Sequence, residues 1–382
     1  MKHLFLFFIL AASPLCAKAL EFPKDEAQIV KPATIKVLLE ERASTLLIEA
    51  NGAYRIYCPH TNVLISSSSF GKRDIVHVKP DGLVFGKLLP GTHAIRIVPI
   101  DAHTTVFVNG IQYKGCLELY DIGGSLRAIN EVDVESYLRS CLATKFSDIQ
   151  EAEVLNALAI TERTYVYYLL EKNKQVPWHI TATEAHYKGL GVTLQHLAME
   201  RAITETSHAI LTYQKHPFAA CYTEDSAGKT ASLTAIFRKK MLSPRGVTFA
   251  GMEAERQKSS WSFQITKQEL ASLLDLPEIS SMSLFTDKES GKVYAVKMSY
   301  AQGSKQLDFQ KLQQALSAKK LKSNDFTVEE TSHFFRFQGF GSGLGIGLCL
   351  HTADIMAKKG LDAKRILESC FADAQIEKCD RR

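Results

Sequence analysis

The chain has 382 residues, 46% of them hydrophobic, and a formal net charge of +5 at pH 7. This composition is typical of a globular protein, long enough for one large or two to three small domains. The mild positive charge fits an anionic polymer such as cell wall; it is too diffuse to indicate nucleic acid, and no nucleic-acid recognition motif is present.

The first 19 residues predict a secretory signal peptide. Met1-Lys2-His3 precedes an apolar run that is too short for a membrane span, and small residues follow at Ala17-Lys18-Ala19. No later segment is long and apolar enough to cross a membrane. We therefore expect an exported protein, located in the periplasm or at the cell envelope.

The eight cysteines lie far apart, and none forms the C-x-x-C pair that would indicate zinc. We interpret the seven that follow the signal peptide as buried thiols, and a disulfide such as Cys370–Cys379 stays open. The dinucleotide spacing G-x-G-x-x-G never occurs. We expect no cofactor, no nucleotide and no metal.

Residues 20–105 predict a β-rich N-terminal region. Apolar and polar residues alternate in short runs such as Tyr54-Arg55-Ile56-Tyr57, and turn signals such as Asn51-Gly52 and Asn109-Gly110 separate these runs at hairpin spacing. Together with the helix that follows, this pattern predicts the α+β class.

The stretch Leu126–Tyr165 predicts a strand-like entry, a turn and one strong helix. Ser147–Gln150 has the pattern of a capping box, and apolar residues follow at helical spacing. Glu162 and Arg163 are charged residues on a helix otherwise built to be buried. Because a buried charge is costly unless it is paired, they form an ion pair, a packing clamp or part of a site.

Two glycine-containing segments complete the prediction. The loop Thr223–Thr230 follows a strand, and its hydroxyl and N–H groups suit sugar or carboxylate recognition, although an ordinary turn has the same pattern. Five glycines alternate over 339–347, which predicts an extended strand with one bare face, used for packing or for a cleft. Residues 231–330 between them predict an inserted or secondary lobe.

The chain also resembles a known family. Ile129-Asn130, Val134–Leu138, Glu153–Ala157 and Arg163–Tyr165 occur in the order of the SpoIID/LytB pattern "IN-x-v-x-l-E-x-YL-x-GvvPsEMp … EAL-x-AQAvaaRTYa". The resemblance covers most of the chain after about residue 105. Its members are septal and sporulation peptidoglycan proteins, either lytic transglycosylases or enhancers of cell-wall amidases. It implies a mixed core with one central helix over 106–230, completed by a glycine-rich strand and a C-terminal helix in 331–382.

The resemblance fails at the position that matters for chemistry. Aligned without gaps, the family's catalytic glutamate falls on Lys145 and the preceding serine on Thr144. Glycan cleavage needs a carboxylic acid beside the glycosidic oxygen, a role that lysine cannot simply fill. Asp148, Glu135 or Glu162 could substitute. Their structural alternatives are a helix cap for Asp148, a solvated or scaffold role for Glu135 and an ion pair for Glu162.

Two hypotheses follow, and both have peptidoglycan glycan strands as the partner. The protein is a glycan-cleaving enzyme with a displaced acid, or it binds the wall or a cell-wall amidase without cleaving. Some family members bind zinc through cysteines and histidines near the region matching His179–His186, but this chain lacks those cysteines.

The candidate catalytic residues are Lys145, Asp148 and Glu162, and the candidate strand-binding residues are Thr144, Arg163, Tyr165, Tyr187, Ser226, Gly228, Gly343 and Gly345.

Overall fold

The computed structural model describes residues 33–146, 148–190 and 197–379, without the side chain of Thr144. The predicted signal peptide, Ser147 of the predicted capping box and the side chain of the candidate residue Thr144 lie outside this range. Among the described residues, no helix has the length and apolar character needed to cross a membrane.

The N-terminal part of the chain consists of short strands, as its alternation predicts, and these form two sheets. In the described residues, the seven-stranded sheet has the order β13-β1-β12-β11-β8-β3-β4, where the strands are β1 Thr34–Ala43, β3 Tyr54–Tyr57, β4 Leu64–Ser68, β8 Ala94–Pro99, β11 Cys116–Ile122, β12 Ser125–Asp133 and β13 Ile180–Thr181. The six-stranded sheet has the order β10-β9-β2-β5-β6-β7, where the strands are β2 Thr45–Ala50, β5 Lys72–Lys79, β6 Gly82–Phe85, β7 Lys87–Pro90, β9 Val106–Val108 and β10 Ile111–Tyr113.

Each of the two sheets contains strands from before and from after residue 105. β1 pairs with β12 along most of its length, and β2 pairs with β9. The alternating residues of β2, buried at Leu46, Ile48 and Ala50, contribute to the same core as the helices that follow. Burial of this apolar surface is the main stabilising contribution to the fold. The α+β class is therefore confirmed.

The helices α1 (Val134–Lys145) and α2 (Ala152–Lys172) follow β12 directly. The predicted turn is wrong, because Asp133 caps α1 by accepting a hydrogen bond from the Ser136 N–H at 2.9 Å. The predicted capping box is also wrong, because α2 begins at Ala152 with Glu151 as N-cap and has no side-chain cap.

α2 is the central helix, and its buried face contacts elements from several parts of the chain. It packs against α1, and then against α4 Leu197–Glu205, β14 Ala209–Thr212, α9 Leu350–Lys358 and α10 Ala363–Cys370. Ala157 and Ala159 are fully buried in this packing, as expected of small residues that let another backbone come close. The remaining short elements are α3 Ala182–Ala185, β15 Tyr222–Thr223 and β23 Gln375–Lys378, which pairs with β14.

Residues 260–340 form a lobe with its own apolar core, centred on Trp261, Phe309, Phe326, Phe335 and Phe337. Its sheets are β16-β21-β20 and β17-β18-β19. The bounds are α5 Leu233–Phe237, α6 Glu253–Lys258, β16 Ser260–Thr266, α7 Lys267–Leu273, β17 Ile279–Thr286, β18 Val293–Tyr300, β19 Gly303–Asp308, α8 Phe309–Leu316, β20 Phe326–Glu330 and β21 Phe334–Phe340.

The predicted glycine-rich strand is wrong. Gly341, Gly343, Gly345 and Gly347 have φ values of 75°, 93°, 57° and 72°, so these residues form a loop. The short strand β22 (Leu348–Cys349) follows this loop. A Cβ atom at Gly341 would lie 2.4 Å from the Asp225 carbonyl oxygen. The missing side chains therefore let the 221–227 loop pack closely against this segment.

Gly347→Ala is expected to lower the free energy of unfolding by more than about 2 kcal/mol. An alanine there would adopt a left-handed φ, and its Cβ would lie 2.0 Å from the Cys221 carbonyl oxygen. Gly123→Ala is the matched control, since Gly123 also has a positive φ but has no atom within 4 Å of an added Cβ. Urea unfolding of both variants measures the difference, and equal losses would contradict the packing role of Gly347.

Candidate functional site

The end of α1 and the middle of α2 bring Lys145 and Glu162 together. The Lys145 Nζ and a Glu162 carboxylate oxygen are 3.8 Å apart, and the side chains are 18% and 14% exposed. Glu162 is thus an ion-paired residue, one of the alternatives that its position on a buried helix left open. A carboxyl group of α2 therefore lies beside the lysine at the end of α1.

The surroundings of Glu162 shift the pKa of its carboxyl upward. Burial raises the pKa of the Glu162 carboxyl, and the positive charges of Lys145 and His186 lower it by less, so the pKa stays above its ordinary value. His186 is exposed, with a left-handed φ of 52° at the end of α3. A buried carboxyl with a raised pKa is the type of group that enzymes use as a general acid.

The other groups near Glu162 hold their protons at neutral pH. Burial, and then the Glu162 charge, raises the pKa of Tyr222 and that of Cys221 to about 12. The same two causes raise the pKa of Tyr165. Tyr222 packs edge-on against Phe146, with ring centroids 5.0 Å apart. These phenol and thiol groups are therefore too weakly acidic to replace Glu162.

Arg163 is part of the core. It is fully buried, and its Nε and Nη2 donate to the two Glu135 carboxylate oxygens at 2.8 Å each. Its Nη1 also donates to the Ala209 carbonyl oxygen at 3.1 Å. Arg163 therefore clamps α2 to α1 and to β14, and the expectation that it binds a glycan strand is wrong. Glu135 has the scaffold role, since both of its oxygens are held by Arg163.

Tyr187 is a core residue, so the expectation that it binds substrate is also wrong. It is 5% exposed, and its hydroxyl donates to the Asn130 side-chain oxygen at 2.7 Å. Its ring stacks on that of Tyr137 at a centroid distance of 5.6 Å. The Asn130 amide in turn donates to two backbone carbonyls, which completes a satisfied buried network.

Asp148 lies in the connection between α1 and α2 and is exposed. Its predicted cap role is wrong, because Glu151 is the N-cap of α2. Glu162 is buried instead, and burial raises the pKa of its carboxyl, which suits a group that donates a proton near neutral pH. The structure therefore favours Glu162 over Asp148 among the carboxylates considered.

Most of the 223–230 loop is buried, although Glu224 and Lys229 are exposed. Ser226 is fully buried; its N–H donates to the Cys349 sulfur at 3.2 Å, and its carbonyl accepts from Lys292 Nζ at 2.7 Å. Gly228 is buried, and a Cβ at Gly345 would lie 2.7 Å from the Lys292 side chain. A Cβ at Gly343 would lie 2.5 Å from the Thr223 hydroxyl. These candidate strand-binding residues therefore pack the loop instead of lining a cleft.

The lobe holds this loop through a buried ionic group that sequence reasoning missed. Lys292 is 1% exposed, and its Nζ donates to Asp325 at 2.9 Å. Arg256 donates to both Asp325 oxygens at 2.6 and 2.8 Å, and to the Ala227 carbonyl at 3.0 Å. These partners are far apart in a segment without a recognisable pattern, so no local signal identifies them.

The SpoIID family model, described as "Stage II sporulation protein", matches residues 123–213. This chain belongs to the SpoIID family. An uncharacterized protein of Chlamydia pneumoniae is 40% identical over 185 residues, which are 48% of this chain and 67% of that protein. One from Chlamydia muridarum is 36% identical over 185 residues, 48% of this chain and 64% of that protein. Stage II sporulation protein D of Bacillus subtilis is 22% identical over 275 residues, 66% of this chain and 77% of that protein.

Membership of the SpoIID family supports a cell-wall-related role in general. The matched segment runs from the turn before β12 to just after β14 and includes Lys145, Glu162 and Arg163. The Lys145–Glu162 pair therefore lies within the matched segment, whereas the 223–230 loop and the glycine segment lie outside the match.

The residues of this SpoIID-family protein do not fit zinc. His179 Nδ1 accepts a hydrogen bond from the Lys36 N–H at 2.9 Å, and burial lowers the pKa of its ring. Within the described ranges, no group of three or more His, Cys, Asp or Glu side chains could hold a metal ion. The seven cysteines there form no disulfide, and the Cys379 thiol donates to the His208 carbonyl, so a Cys370–Cys379 bond is not formed.

Proposed function

We propose that this protein binds peptidoglycan glycan strands and cleaves them by lytic transglycosylase chemistry, with Glu162 as the acid. The observation that carries the proposal is the 3.8 Å distance between the Lys145 Nζ and a Glu162 carboxylate oxygen. The family resemblance implies that Lys145 occupies the position of the family's glutamate. In this proposal the acid lies on α2 instead of α1, and it protonates the same glycosidic oxygen of the bound strand.

The chemistry requires one carboxyl group to act twice. Protonated Glu162 donates its proton to the glycosidic oxygen as the bond from that oxygen to the muramyl C1 breaks. The muramyl 6-hydroxyl then attacks C1 and gives its proton to the Glu162 carboxylate as the 1,6-anhydro ring closes. Burial supports the first transfer, since it raises the pKa of Glu162. Lys145 stabilises the carboxylate that exists between the two transfers.

A second candidate function is wall binding, or enhancement of a cell-wall amidase, without cleavage. Lys145 favours it, because a cation attracts the carboxylates of muramic acid and stem peptides but opposes an oxocarbenium-like transition state. Both functions place the protein outside the cytoplasm, in the periplasm or at the cell envelope, as residues 1–19 predict.

The deciding experiment is digestion of peptide-bearing and denuded glycan strands by the purified protein, with detection of 1,6-anhydro-muramyl ends by mass spectrometry. Anhydro ends from either substrate are the expected result. Strands that co-sediment with the protein but stay intact would favour the second function. Neither binding nor products would overturn both.

A further inference from the structure

A basic groove of about 950 Å³ lies between α2, the segment that follows α5, and the lobe. Its walls include Lys172 at the end of α2, Arg238, Lys239 and Lys240 directly after α5, and Lys311 of α8. The proposed cleavage chemistry uses none of these side chains. The groove is therefore a surface to which the function proposed above assigns no role.

The groove has a strong positive charge. Besides these five cations, the described residues that line it include one acidic residue, Asp308, so the local net charge is +4. An Asp308 carboxylate oxygen lies 3.5 Å from the Lys311 Nζ. Arg238, Lys239 and Lys240 are exposed, and none of the three forms an ion pair in the part of the chain that the structure describes. A concave surface lined by one sign of charge concentrates ligands of the opposite sign.

Aromatic rings hold two of these cations in place. The Arg238 guanidinium lies 4.6 Å from the centre of the Tyr294 ring, and the Lys172 Nζ lies 5.4 Å from that of Tyr168. Each contact restrains a long side chain, so less rotamer freedom is lost when an anion binds. A guanidinium presents paired N–H donors that match the oxygens of a phosphate, and lysines add point charges. This combination suits a phosphate group.

Apolar side chains lie next to the cationic run. Leu242 is 38% exposed, Phe237 and Met241 are half-buried, and all three line the groove. A soluble phosphate ester offers these side chains nothing to pack against, whereas a lipid bilayer places apolar chains directly beneath its charged headgroups. Exposed apolar residues beside Lys and Arg are typical of segments that lie on a membrane surface. The apolar residues therefore favour a lipid headgroup over a free phosphate.

We propose that this groove binds the phosphate headgroup of an anionic phospholipid at a membrane surface. The cations contact the headgroup, and Leu242 packs against the lipid next to it. A protein exported to the envelope, as residues 1–19 predict, meets such a surface. The inference does not depend on the proposed cleavage, because Glu162 and Lys172 are separated by about 15 Å along the axis of α2.

The test is co-sedimentation of the purified protein with vesicles that contain phosphatidylglycerol and with vesicles of phosphatidylcholine alone. The wild type is expected to bind the phosphatidylglycerol vesicles roughly 100-fold more tightly, because each of three exposed cations near an anionic surface contributes about fivefold. The preference should weaken as salt is raised, since salt screens exposed charges. Phosphatidylcholine vesicles report any binding that does not need the headgroup charge.

Two triple variants with the same change in net charge separate the groove from the overall charge of the protein. The groove variant neutralises the cationic run and is expected to lose the preference: Arg238→Gln, Lys239→Gln, Lys240→Gln. The matched control neutralises three exposed lysines of the lobe that do not line the groove and is expected to keep the preference: Lys288→Gln, Lys305→Gln, Lys319→Gln. Leu242→Ser is expected to weaken vesicle binding but to keep the preference for phosphatidylglycerol.

Any of five results would overturn the inference. They are equal wild-type binding to both kinds of vesicle, a preference kept by the groove variant, a preference lost equally by the control, wild-type binding by Leu242→Ser, and release from the vesicles by low-millimolar glycerol phosphate. The last two would indicate a soluble phosphate ester as the ligand. Glycan cleavage is measured separately on strands in solution, so a protein that releases no anhydro ends but prefers phosphatidylglycerol would contradict the proposed cleavage and support this inference.

Discussion

Glu162→Gln is expected to slow glycan cleavage by about 10²–10⁴-fold, while strand binding changes by no more than a few-fold. The amide keeps the size of the side chain but has no proton to give to the glycosidic oxygen. The rate of 1,6-anhydro end formation and co-sedimentation with strands measure the two effects separately.

Asp148→Asn is the matched control for this result. It removes another carboxyl close to α2, but Asp148 is exposed, so cleavage should continue at the wild-type rate. If Asp148→Asn abolished cleavage and Glu162→Gln did not, the acid would be Asp148. Equal losses of cleavage and strand binding in Glu162→Gln would indicate damage to the cleft and not to the chemistry.

The pH dependence of cleavage provides an independent check on the same carboxyl. The acid must be protonated at the start, so cleavage falls as pH rises through the pKa of Glu162, which burial places above the ordinary value. The Lys145 charge lowers this pKa. Lys145→Met should therefore move the alkaline limb to higher pH, whereas Lys174→Met, an exposed lysine beyond the end of α2, should not. An unmoved limb in Lys145→Met would show that the two groups are not coupled in the enzyme.

The β-rich region could be predicted because its signals are local. The Asn109-Gly110 turn is one example: both residues have positive φ, and the turn joins β9 to β10. The helix α1 also had local signals in the Asp133 cap and in the helical spacing of Leu138, Cys141 and Leu142, all buried. The prediction of a turn there was wrong because it did not use these signals.

The glycine segment could not be predicted in the same way. A period-two pattern states which positions lack side chains, but it does not give the sign of φ. That sign depends on the 221–227 loop, whose backbone takes the space beside Gly341 and Gly347. Likewise, the partner of Glu162 is decided by the packing of α1 on α2, which no local pattern of the sequence contains.

Glu135→Leu is expected to lower the free energy of unfolding by about 3–5 kcal/mol, because it leaves the fully buried Arg163 guanidinium without its counter-ion. Arg163→Met should cost less, since the Glu135 side chain is 18% exposed and its charge can reach water. Urea unfolding measures both variants.

The double variant Glu135→Leu, Arg163→Met is expected to regain much of the loss, because no unpaired charge remains. Additive losses would contradict the assignment of the pair as a mutually compensated clamp. The same variants also decide between a scaffold and a binding role. If Arg163 is a clamp, Arg163→Met lowers the stability of the protein, but the folded protein still binds strands. Unchanged stability with loss of strand binding would instead indicate that Arg163 binds the strand.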